Sequence, residues 1–299
     1  MTASAVVFAY HDVGVRCLSV LLEAGIDVKL VVTHRDDPNE TVFFSSVERL
    51  ARKHGLDVAY DDTPGLPARV SRLAPDFIFS FYYRRMLPPE LLAAARRGAY
   101  NMHGSLLPKF RGRAPINWAV LKGAAETGAT LHEMVAKPDA GRIVDQQAVP
   151  IGDNDTAAEV FARATGAAEQ VLRRSLPRLV DGTARPREQD LAAGSYYGGR
   201  RPEDGRIDWT RPAREIHDLV RAVAPPYPGA FTTWEGRPAR ILRTWWGDLP
   251  PGLPAATAPG GVTELGTRLF VACGDGRWLE VIEAEHFAGR EPRVGESKP

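Results

Sequence analysis

The chain has 299 residues, 44% of them hydrophobic and 25% charged, which excludes a disordered or fibrous protein and allows about two domains with a sizeable core. Its 38 basic and 37 acidic side chains leave a net charge of +1, so no overall field attracts nucleic acid or an anionic membrane. No signal-peptide pattern and no apolar run near the roughly 20 residues of a membrane span are present, and we expect a cytoplasmic protein without membrane insertion.

The first half of the chain alternates short apolar runs with amphipathic stretches. Strands are predicted at residues 5–10, 27–33, 76–83, 99–103, 130–135 and 142–149, and helices at 13–24, 45–54, 88–97 and 156–180. Strands that alternate with helices of this length are typical of an α/β fold. We predict a mostly parallel sheet that is covered on both faces.

The second part of the chain has a different composition. A linker is predicted to begin at residues 181–187, after which Gly and Pro become frequent. One helix at 211–223 precedes short predicted strands at 229–234, 239–246 and 269–273, a pattern that favours a small β-barrel or sandwich. The predicted organisation is therefore a domain over residues 1–185, a linker over 186–203 and a smaller domain over 204–299.

Several common kinds of site are excluded by the motifs. The first strand-to-helix turn, Phe8-Ala-Tyr-His-Asp-Val-Gly14, lacks the GxGxxG spacing of dinucleotide sites, and no GxxxxGK[ST] occurs. Cys17 and Cys273 stand alone, so we expect two buried thiols without a disulfide framework. The seven histidines show no HExxH or similar spacing, and we expect no metal.

Asn101 and His103 lie two residues apart at the end of a predicted strand. Side chains with this spacing leave the same face of a strand, and ligand sites of open α/β sheets lie at the carboxyl edge. Taken alone, a histidine at this position is more often a structural residue than a catalytic one. With the amide, the pair favours acyl-type transfer, because an amide N–H can stabilise an oxyanion and an imidazole can move a proton.

Charged residues follow in the neighbouring loops. Asp139 occupies a tight loop between two predicted strands, where it either caps a turn or contacts His103, raises the imidazole pKa and fixes its tautomer. Lys109, Arg111 and Arg113 alternate beside the His103 loop, and Gly198-Gly-Arg-Arg-Pro202 forms a second cluster. These cations are either solvated surface charges or contacts to a phosphate or carboxylate.

Taken together, these motifs resemble the 10-formyltetrahydrofolate-dependent formyltransferases. The similarity includes Asn101-x-His103-Gly-Ser-Leu-Leu-Pro108, the following Arg-Gly-Arg-Ala-Pro115, and Asp139-Ala-Gly141, about 36 positions after the histidine. It extends to Arg206-Ile-Asp-Trp209 and Pro226-Tyr-Pro-Gly-Ala230. The resemblance implies a Rossmann-like N-terminal domain that binds the folate and an OB-like β-barrel C-terminal domain that completes the acceptor site.

The resemblance also implies roles for individual residues. Asn101 stabilises the tetrahedral oxyanion, His103 moves protons between the acceptor amine and folate N10, and Asp139 keeps His103 basic. The positions that match folate contacts, largely through the backbone, are Arg85, Met86, Leu87, Arg113, Val135, Ala136, Lys137, Pro138 and Asp139. The candidate acceptor contacts are Ser105, Lys109, Arg111, Arg200 and Arg201, the cations serving the diphosphate or the sugar.

The acceptor is expected to be a nucleotide-linked amino sugar. Phe8 to Gly14, Thr33-His34, the run 79–84 and Gly199-Arg-Arg-Pro202 resemble the formyltransferase domain of bifunctional polymyxin-resistance enzymes, which act on UDP-4-amino-4-deoxy-L-arabinose during lipid A modification. Those enzymes carry an additional dehydrogenase-like decarboxylase domain. Since none follows here, we expect a separate decarboxylase polypeptide in the pathway.

A nucleic acid acceptor is disfavoured. Methionyl-tRNA formyltransferases typically have a Gly-Thr-Pro turn and a basic insertion after the second strand, whereas this chain has Tyr10-His-Asp12 and an acidic loop at residues 35–40. From Arg200 to the end it carries 14 basic and 14 acidic side chains, too balanced for tRNA. The alternatives are a dTDP-linked amino hexose as acceptor, a hydrolase that releases formate from the folate, and a non-catalytic folate-binding or partner-binding module.

Overall fold

A computed structural model describes residues 2–36, 42–234, 236–256 and 258–286 of the chain. Two compact units are present. Unit 1 comprises the chain up to Pro115 together with Thr127–Val149 and Ala162–Tyr197. Unit 2 comprises Ile116–Glu126, Pro150–Phe161 and the chain from Gly198. The segment 186–203, predicted as a linker, is thus divided between the units after Tyr197.

A seven-stranded sheet forms the centre of unit 1. In chain order its strands are β1 (Ser4–Ala9), β2 (Asp27–Thr33), β3 (Val58–Tyr60), β4 (Phe77–Phe81), β5 (Gly98–His103), β7 (Glu126–Glu133) and β8 (Ile143–Pro150), while β6 (Arg111–Gly112) pairs outside it with β9 (Tyr196–Tyr197). The spatial order is β3-β2-β1-β4-β5-β7-β8. The pairs from β3 to β5 are parallel and β5–β7 is antiparallel, which confirms a mostly parallel sheet.

The strands are apolar because both faces of the sheet are covered. Phe8, Phe77, Phe79 and Phe81 are fully buried. The order of the strands changes direction between β1 and β4, and in open α/β sheets ligands bind outside the carboxyl ends of the strands at such a point. β5, which carries Asn101 and His103, lies next to β4.

The α-helices up to residue 180 are α1 (His11–Glu23), α2 (Val47–Lys53), α3 (Leu66–Leu73), α4 (Pro89–Leu92), α5 (Pro115–Leu121) and α6 (Ala157–Val180). The predicted helix at 88–97 was too long, since α4 ends at Leu92. The backbone N–H groups of Arg96 and Arg97 donate to the carbonyls of Pro75 and Asp76. These bonds attach the chain to the start of β4 and end the helix.

Unit 2 contains α7 (Ala213–Val223) and an antiparallel sheet of β10 (Ala230–Trp234), β11 (Arg237–Trp245), β12 (Val262–Leu265), β13 (Arg268–Ala272) and β14 (Trp278–His286), in the order β10-β11-β14-β13-β12. Ile216 and Val220 of α7 pack with Ile241, Val271 and Leu279 of the sheet. The expected small C-terminal β domain is therefore observed as a five-stranded sheet with one packed helix.

Cys17 and Cys273 are free and buried, as predicted. None of the described helices is both long enough and apolar enough to span a bilayer.

Candidate active site

Asn101 and His103 lie at the carboxyl end of β5, and residues of the neighbouring strand β7 lie opposite them. In the β5–β7 register, Asn101 is opposite His132 and His103 is opposite Thr130. Asn101 Nδ2 lies 3.1 Å from His132 Nε2, and His132 Nδ1 lies 2.7 Å from the carbonyl of Glu133. Since a carbonyl only accepts, the hydrogen-bond network assigns the proton of His132 to Nδ1, and Nε2 accepts from Asn101. One amide N–H of Asn101 is thereby oriented, and a second remains for another acceptor.

His103 is held between a carbonyl and a carboxylate. Its Nε2 lies 2.9 Å from the carbonyl oxygen of Phe110, and its Nδ1 lies 3.5 Å from Asp139 Oδ1. The carbonyl requires a proton on Nε2, which leaves the Nδ1 lone pair facing the carboxylate side in the neutral ring. A proton taken up at Nδ1 would be stabilised by Asp139. His103 is therefore placed to accept a proton and to hold it transiently.

Asp139 lies in the loop between β7 and β8 with a positive φ of 51°. Its Oδ2 accepts a 2.9 Å hydrogen bond from the backbone N–H of Gly112. Burial alone would raise the pKa of this carboxyl, but the neighbouring His103, His132, whose Nε2 lies 3.6 Å from Oδ1, and the Gly112 N–H hold the pKa well below its usual range. The side chain is therefore ionised at neutral pH. Asp139 and His103 are brought together, which the sequence separation alone did not establish.

The pKa of His103 differs from the sequence-based expectation. The nearby Asp139 carboxylate was expected to raise it, and this contribution is present, as is one from the Phe110 carbonyl. Burial of the ring outweighs both, however, so the pKa of His103 lies below its ordinary value. The imidazole is neutral near pH 7 and can act as a base.

The candidate folate residues lie on two segments of unit 1. Arg85 and Met86 follow β4 and are exposed, whereas Leu87 is buried in the core. The second segment, residues 135–139, follows β7, and its residues Val135 to Lys137 are exposed while Pro138 and Asp139 are half-buried. Arg113 is exposed at the end of the loop that follows His103. A role for these residues in folate binding remains a prediction.

The candidate acceptor residues have diverse environments. In unit 1, Lys109 is exposed, Arg111 is only 8% exposed, and the buried Ser105 hydroxyl donates to the Lys109 carbonyl at 2.6 Å. In unit 2, Arg201 is exposed and Arg200 lies over the Trp118 ring at 5.3 Å. Arg200 lines a cleft of about 360 Å³ together with Trp118, Leu121, Asp204, Arg206 and Ile216.

His132 was not identified as a site residue from the sequence. Thr130 and His132 are two residues apart on a strand, as Asn101 and His103 are, and this spacing could have marked His132 as a polar side chain on one face. The sequence did not show that the two strands pair, so the contact between His132 and Asn101 could not be predicted.

Among the described residues, no group of three or more His, Cys, Asp or Glu side chains could hold a metal ion. Most of the acidic loop weighed against tRNA, residues 37–40, lies outside the described residues.

Comparisons with solved structures support the fold assignment. The N-formyltransferase from Helicobacter canadensis, solved with folinic acid and dTDP-3-aminofucose, is 19% identical, with a TM-score of 0.75 over 96% of this chain and 100% of its own. The sugar 3N-formyl transferase WlaRD, solved with dTDP and 5-N-formyl-THF, is 17% identical, with a TM-score of 0.74 over 97% and 100%. HypX from Aquifex aeolicus, solved with tetrahydrofolic acid, is 19% identical, with a TM-score of 0.64 over 94% of this chain and 44% of its own.

The match to family profiles covers most of the sequence. Residues 11–176 match the formyl transferase family, and residues 200–293 match the formyl transferase C-terminal domain. The first match spans more than half of the chain and includes Asn101, His103 and Asp139, and the second includes the sheet of unit 2. The chain therefore belongs to the formyl transferase family.

Proposed function

We propose that this protein transfers the formyl group of 10-formyltetrahydrofolate to the amine of a nucleotide-linked amino sugar. The convergence of Asn101, His103 and Asp139 at the carboxyl end of β5 carries the proposal, because it combines an oxyanion donor with a proton acceptor and its carboxylate. The solved structures of two sugar N-formyltransferases with folate derivatives and with dTDP or a dTDP-sugar support both ligand classes.

In the first step the acceptor nitrogen attacks the formyl carbon. A carbon–nitrogen bond forms, and the π electrons of the carbonyl move to its oxygen. The Asn101 amide, held through one N–H by His132, presents its second N–H to the developing oxyanion. A donor fixed before the reaction stabilises this charge without reorganisation, which is a large contribution in acyl transfer.

The proton steps use His103. The attacking amine becomes positively charged and gives a proton to Nδ1 of His103, where Asp139 stabilises the imidazolium. The tetrahedral intermediate then collapses, the bond between carbon and folate N10 breaks, and N10 takes the proton back from His103. The products are the N-formylated sugar and tetrahydrofolate, and His103 returns to its neutral form.

The folate is proposed to lie between the segment 85–87 and the loop 135–139, with Arg113 as a further contact. Both segments leave neighbouring parts of the same sheet, β4 and β7, on either side of β5. The exposed Met86 and Val135, at 62% and 42%, provide apolar surface for a flat ring. Backbone groups of these segments would supply its hydrogen bonds.

The first-choice acceptor is UDP-4-amino-4-deoxy-L-arabinose, which places the enzyme in lipid A modification and polymyxin resistance. The motifs around Phe8 to Gly14, Thr33-His34 and Gly199 to Pro202 support it. A dTDP-linked amino hexose is the second candidate, favoured by the dTDP-3-aminofucose bound to the H. canadensis enzyme. Lys109, Arg111, Arg200 and Arg201 are the proposed contacts to the diphosphate or sugar, with Ser105 closing the turn that carries Lys109.

The test is incubation of the purified protein with 10-formyltetrahydrofolate and, in separate reactions, UDP-4-amino-4-deoxy-L-arabinose, dTDP-3-aminofucose or initiator methionyl-tRNA. Tetrahydrofolate release and product mass are followed. A formyl mass added to one sugar nucleotide establishes the class and selects the acceptor. Transfer to tRNA alone would overturn the proposal, formate release without an amine would identify a hydrolase, and folate binding without turnover would identify a binding module.

A further inference from the structure

The segment of residues 187–197, which follows α6 in unit 1, is attached to the site at both of its ends. At its start Arg187 forms an antiparallel bridge with Ile143, with N···O distances of 2.7 and 2.8 Å. At its end β9 pairs in parallel with β6, beside Gly112. A stretch expected from its sequence to connect domains is thus hydrogen-bonded to both loops that surround His103.

Gln189 holds the loop of Asp139. Its side-chain amide donates to the carbonyls of Asp139 at 3.0 Å and Gly141 at 2.6 Å, so both N–H groups are used. Within the described residues its Oε1 is buried without a hydrogen-bond partner, a cost that the two donated bonds offset. Because Asp139 adopts a positive φ of 51°, its backbone conformation depends on such external support.

Ser195 holds the loop of Phe110. Its hydroxyl accepts from the Phe110 N–H at 2.8 Å, and its carbonyl accepts from the Arg111 N–H at 3.0 Å. Phe110 has a positive φ of 55°, and its carbonyl is the partner of His103 Nε2. Contacts from Ser195 therefore reach His103 through a single residue.

Two glycines allow this close approach. A Cβ on Gly194 would lie 2.3 Å from the carbonyl oxygen of Pro108, and a Cβ on Gly112 would lie 2.1 Å from the carbonyl oxygen of Tyr197. Both contacts are with backbone groups that are themselves held, since Gly112 and Tyr197 belong to the β6–β9 pairing and the Pro108 carbonyl accepts from the Ser195 N–H at 3.2 Å. The 187–197 segment and the loop after His103 are therefore in close backbone contact at Gly194 and at Gly112.

We propose that the 187–197 segment sets the geometry of His103, with Gln189 and Ser195 as positioning residues for the two groups that flank the imidazole. Gln189 fixes the loop that presents the Asp139 carboxylate to Nδ1, and Ser195 fixes the carbonyl that binds Nε2. The consequence for catalysis rests on the proposed function, while the effect on the imidazole does not.

The kinetic test compares Gln189→Met and Ser195→Ala with the wild-type protein. Each variant removes hydrogen bonds to one loop, and we expect kcat for formyl transfer to fall about tenfold, with the KM for 10-formyltetrahydrofolate nearly unchanged. Ser195→Thr retains the hydroxyl and should recover most of kcat. Glu188→Ala and Ser71→Ala alter exposed side chains and serve as matched controls with wild-type kcat.

A second readout needs no substrate. The imidazole of His103 is titrated by NMR in protein carrying labelled histidine, assigned by its loss in His103→Gln. Gln189→Met and Ser195→Ala should shift its pKa downwards, because the carboxylate or the carbonyl that favours the charged ring is displaced, and Ser195→Thr and Glu188→Ala should leave it in place. Comparing both residues keeps the test valid if one variant folds poorly.

The two readouts separate the inference from the proposed function. A shifted His103 titration in a protein that transfers formyl to no acceptor would support the positioning role and overturn the proposed function. Normal kcat together with an unchanged titration in both folded variants would overturn the positioning role. A loss of kcat in Ser195→Ala that Ser195→Thr fails to recover, with an unchanged titration, would also overturn it.

Discussion

Two of the histidine–carboxylate pairs of unit 1, His103–Asp139 and His34–Asp61, differ in a way that separates catalysis from structure. His103 Nδ1 lies 3.5 Å from Asp139, and His34 Nδ1 lies 3.0 Å from Asp61. All four side chains are largely buried, and burial lowers the pKa of both histidines. The distance to the carboxylate would select His34, the closer pair, as the base.

The hydrogen-bond partner of the other ring nitrogen, Nε2, instead indicates that His103 is the base. His34 Nε2 accepts a 3.0 Å hydrogen bond from the backbone N–H of Arg84, so its proton stays on Nδ1 and both nitrogens are satisfied in the neutral ring. His103 Nε2 faces the Phe110 carbonyl instead, so its nitrogens are best satisfied in the protonated ring. A histidine that gains hydrogen bonding on protonation can act as a base, whereas one that loses it is structural.

The surroundings of the pairs agree with this division. The His34 ring stacks on Tyr83 at 4.2 Å, and Asp61 also pairs with Arg85 at 2.7 Å. His34 and Asp61 thereby anchor residues 84–85, at the start of the segment proposed to contact the folate. His103 and Asp139 lie beside Asn101 instead. One pair serves proton transfer, and the other holds a binding segment.

The largest expected effect is the loss of the base. In His103→Ala, kcat for formyl transfer should fall by about 10² to 10⁴, the usual contribution of general acid–base catalysis. In His34→Ala the fall in kcat should be no more than a few-fold, with a rise in the KM for 10-formyltetrahydrofolate. Equal losses of kcat in the two variants would remove the distinction between the pairs.

Removal of the carboxylate charge comes next. In Asp139→Asn, kcat should fall on the order of a hundredfold, because the protonated His103 loses its stabilising partner. Asp139 favours the charged imidazole, so its loss lowers the pKa of His103 further. The acidic limb of the kcat/KM profile should therefore move to lower pH. A limb that stays in place or moves to higher pH in Asp139→Asn would contradict the pairing.

The sequence predicted the strand that carries Asn101 and His103, because the buried strands of a parallel sheet are visible as short apolar runs. It also predicted that the two side chains lie on the same face, because they are two residues apart on that strand. It could not show that Asp139 contacts His103 or that Gln189 contacts the Asp139 loop, because both contacts depend on how loops return to the sheet. β14 was missed because glutamates interrupt its apolar pattern. One of them, Glu280, is buried against Arg268 through two 2.6 Å bonds.

The orientation of Asn101 provides a smaller effect. In His132→Phe the amide loses the acceptor that orients it, and kcat should fall about tenfold, the cost of roughly one buried hydrogen bond. His132→Gln keeps an acceptor oxygen and should recover part of the rate. The exposed His54→Phe is the matched control. A wild-type kcat in His132→Phe would show that Asn101 is positioned without this histidine.

The smallest effect concerns the stability contributed by His34. Its pKa in the folded protein lies below the ordinary histidine value, chiefly through burial. Below about pH 6.5 the unfolded chain therefore binds a proton that the folded protein takes up only at lower pH. The free energy of unfolding should decrease as the pH falls from 8 to 5, with a contribution from this residue of at most about 1.4 kcal/mol per pH unit.

The replacement His34→Gln removes the titrating imidazole. Urea denaturation at several pH values should therefore show that the free energy of unfolding depends less steeply on pH than in the wild-type protein. His217 in unit 2 is the control. Its nitrogens lie 2.8 Å from Thr244 Oγ1 and from the Asp153 carbonyl, and burial lowers its pKa to about 4. His217→Gln should also flatten the pH dependence but leave the folate KM unchanged, whereas His34→Gln should raise that KM because the Arg84 N–H loses the imidazole acceptor. If the two variants changed the KM equally, His34 would have no specific connection to the folate segment, and only its effect on stability would remain.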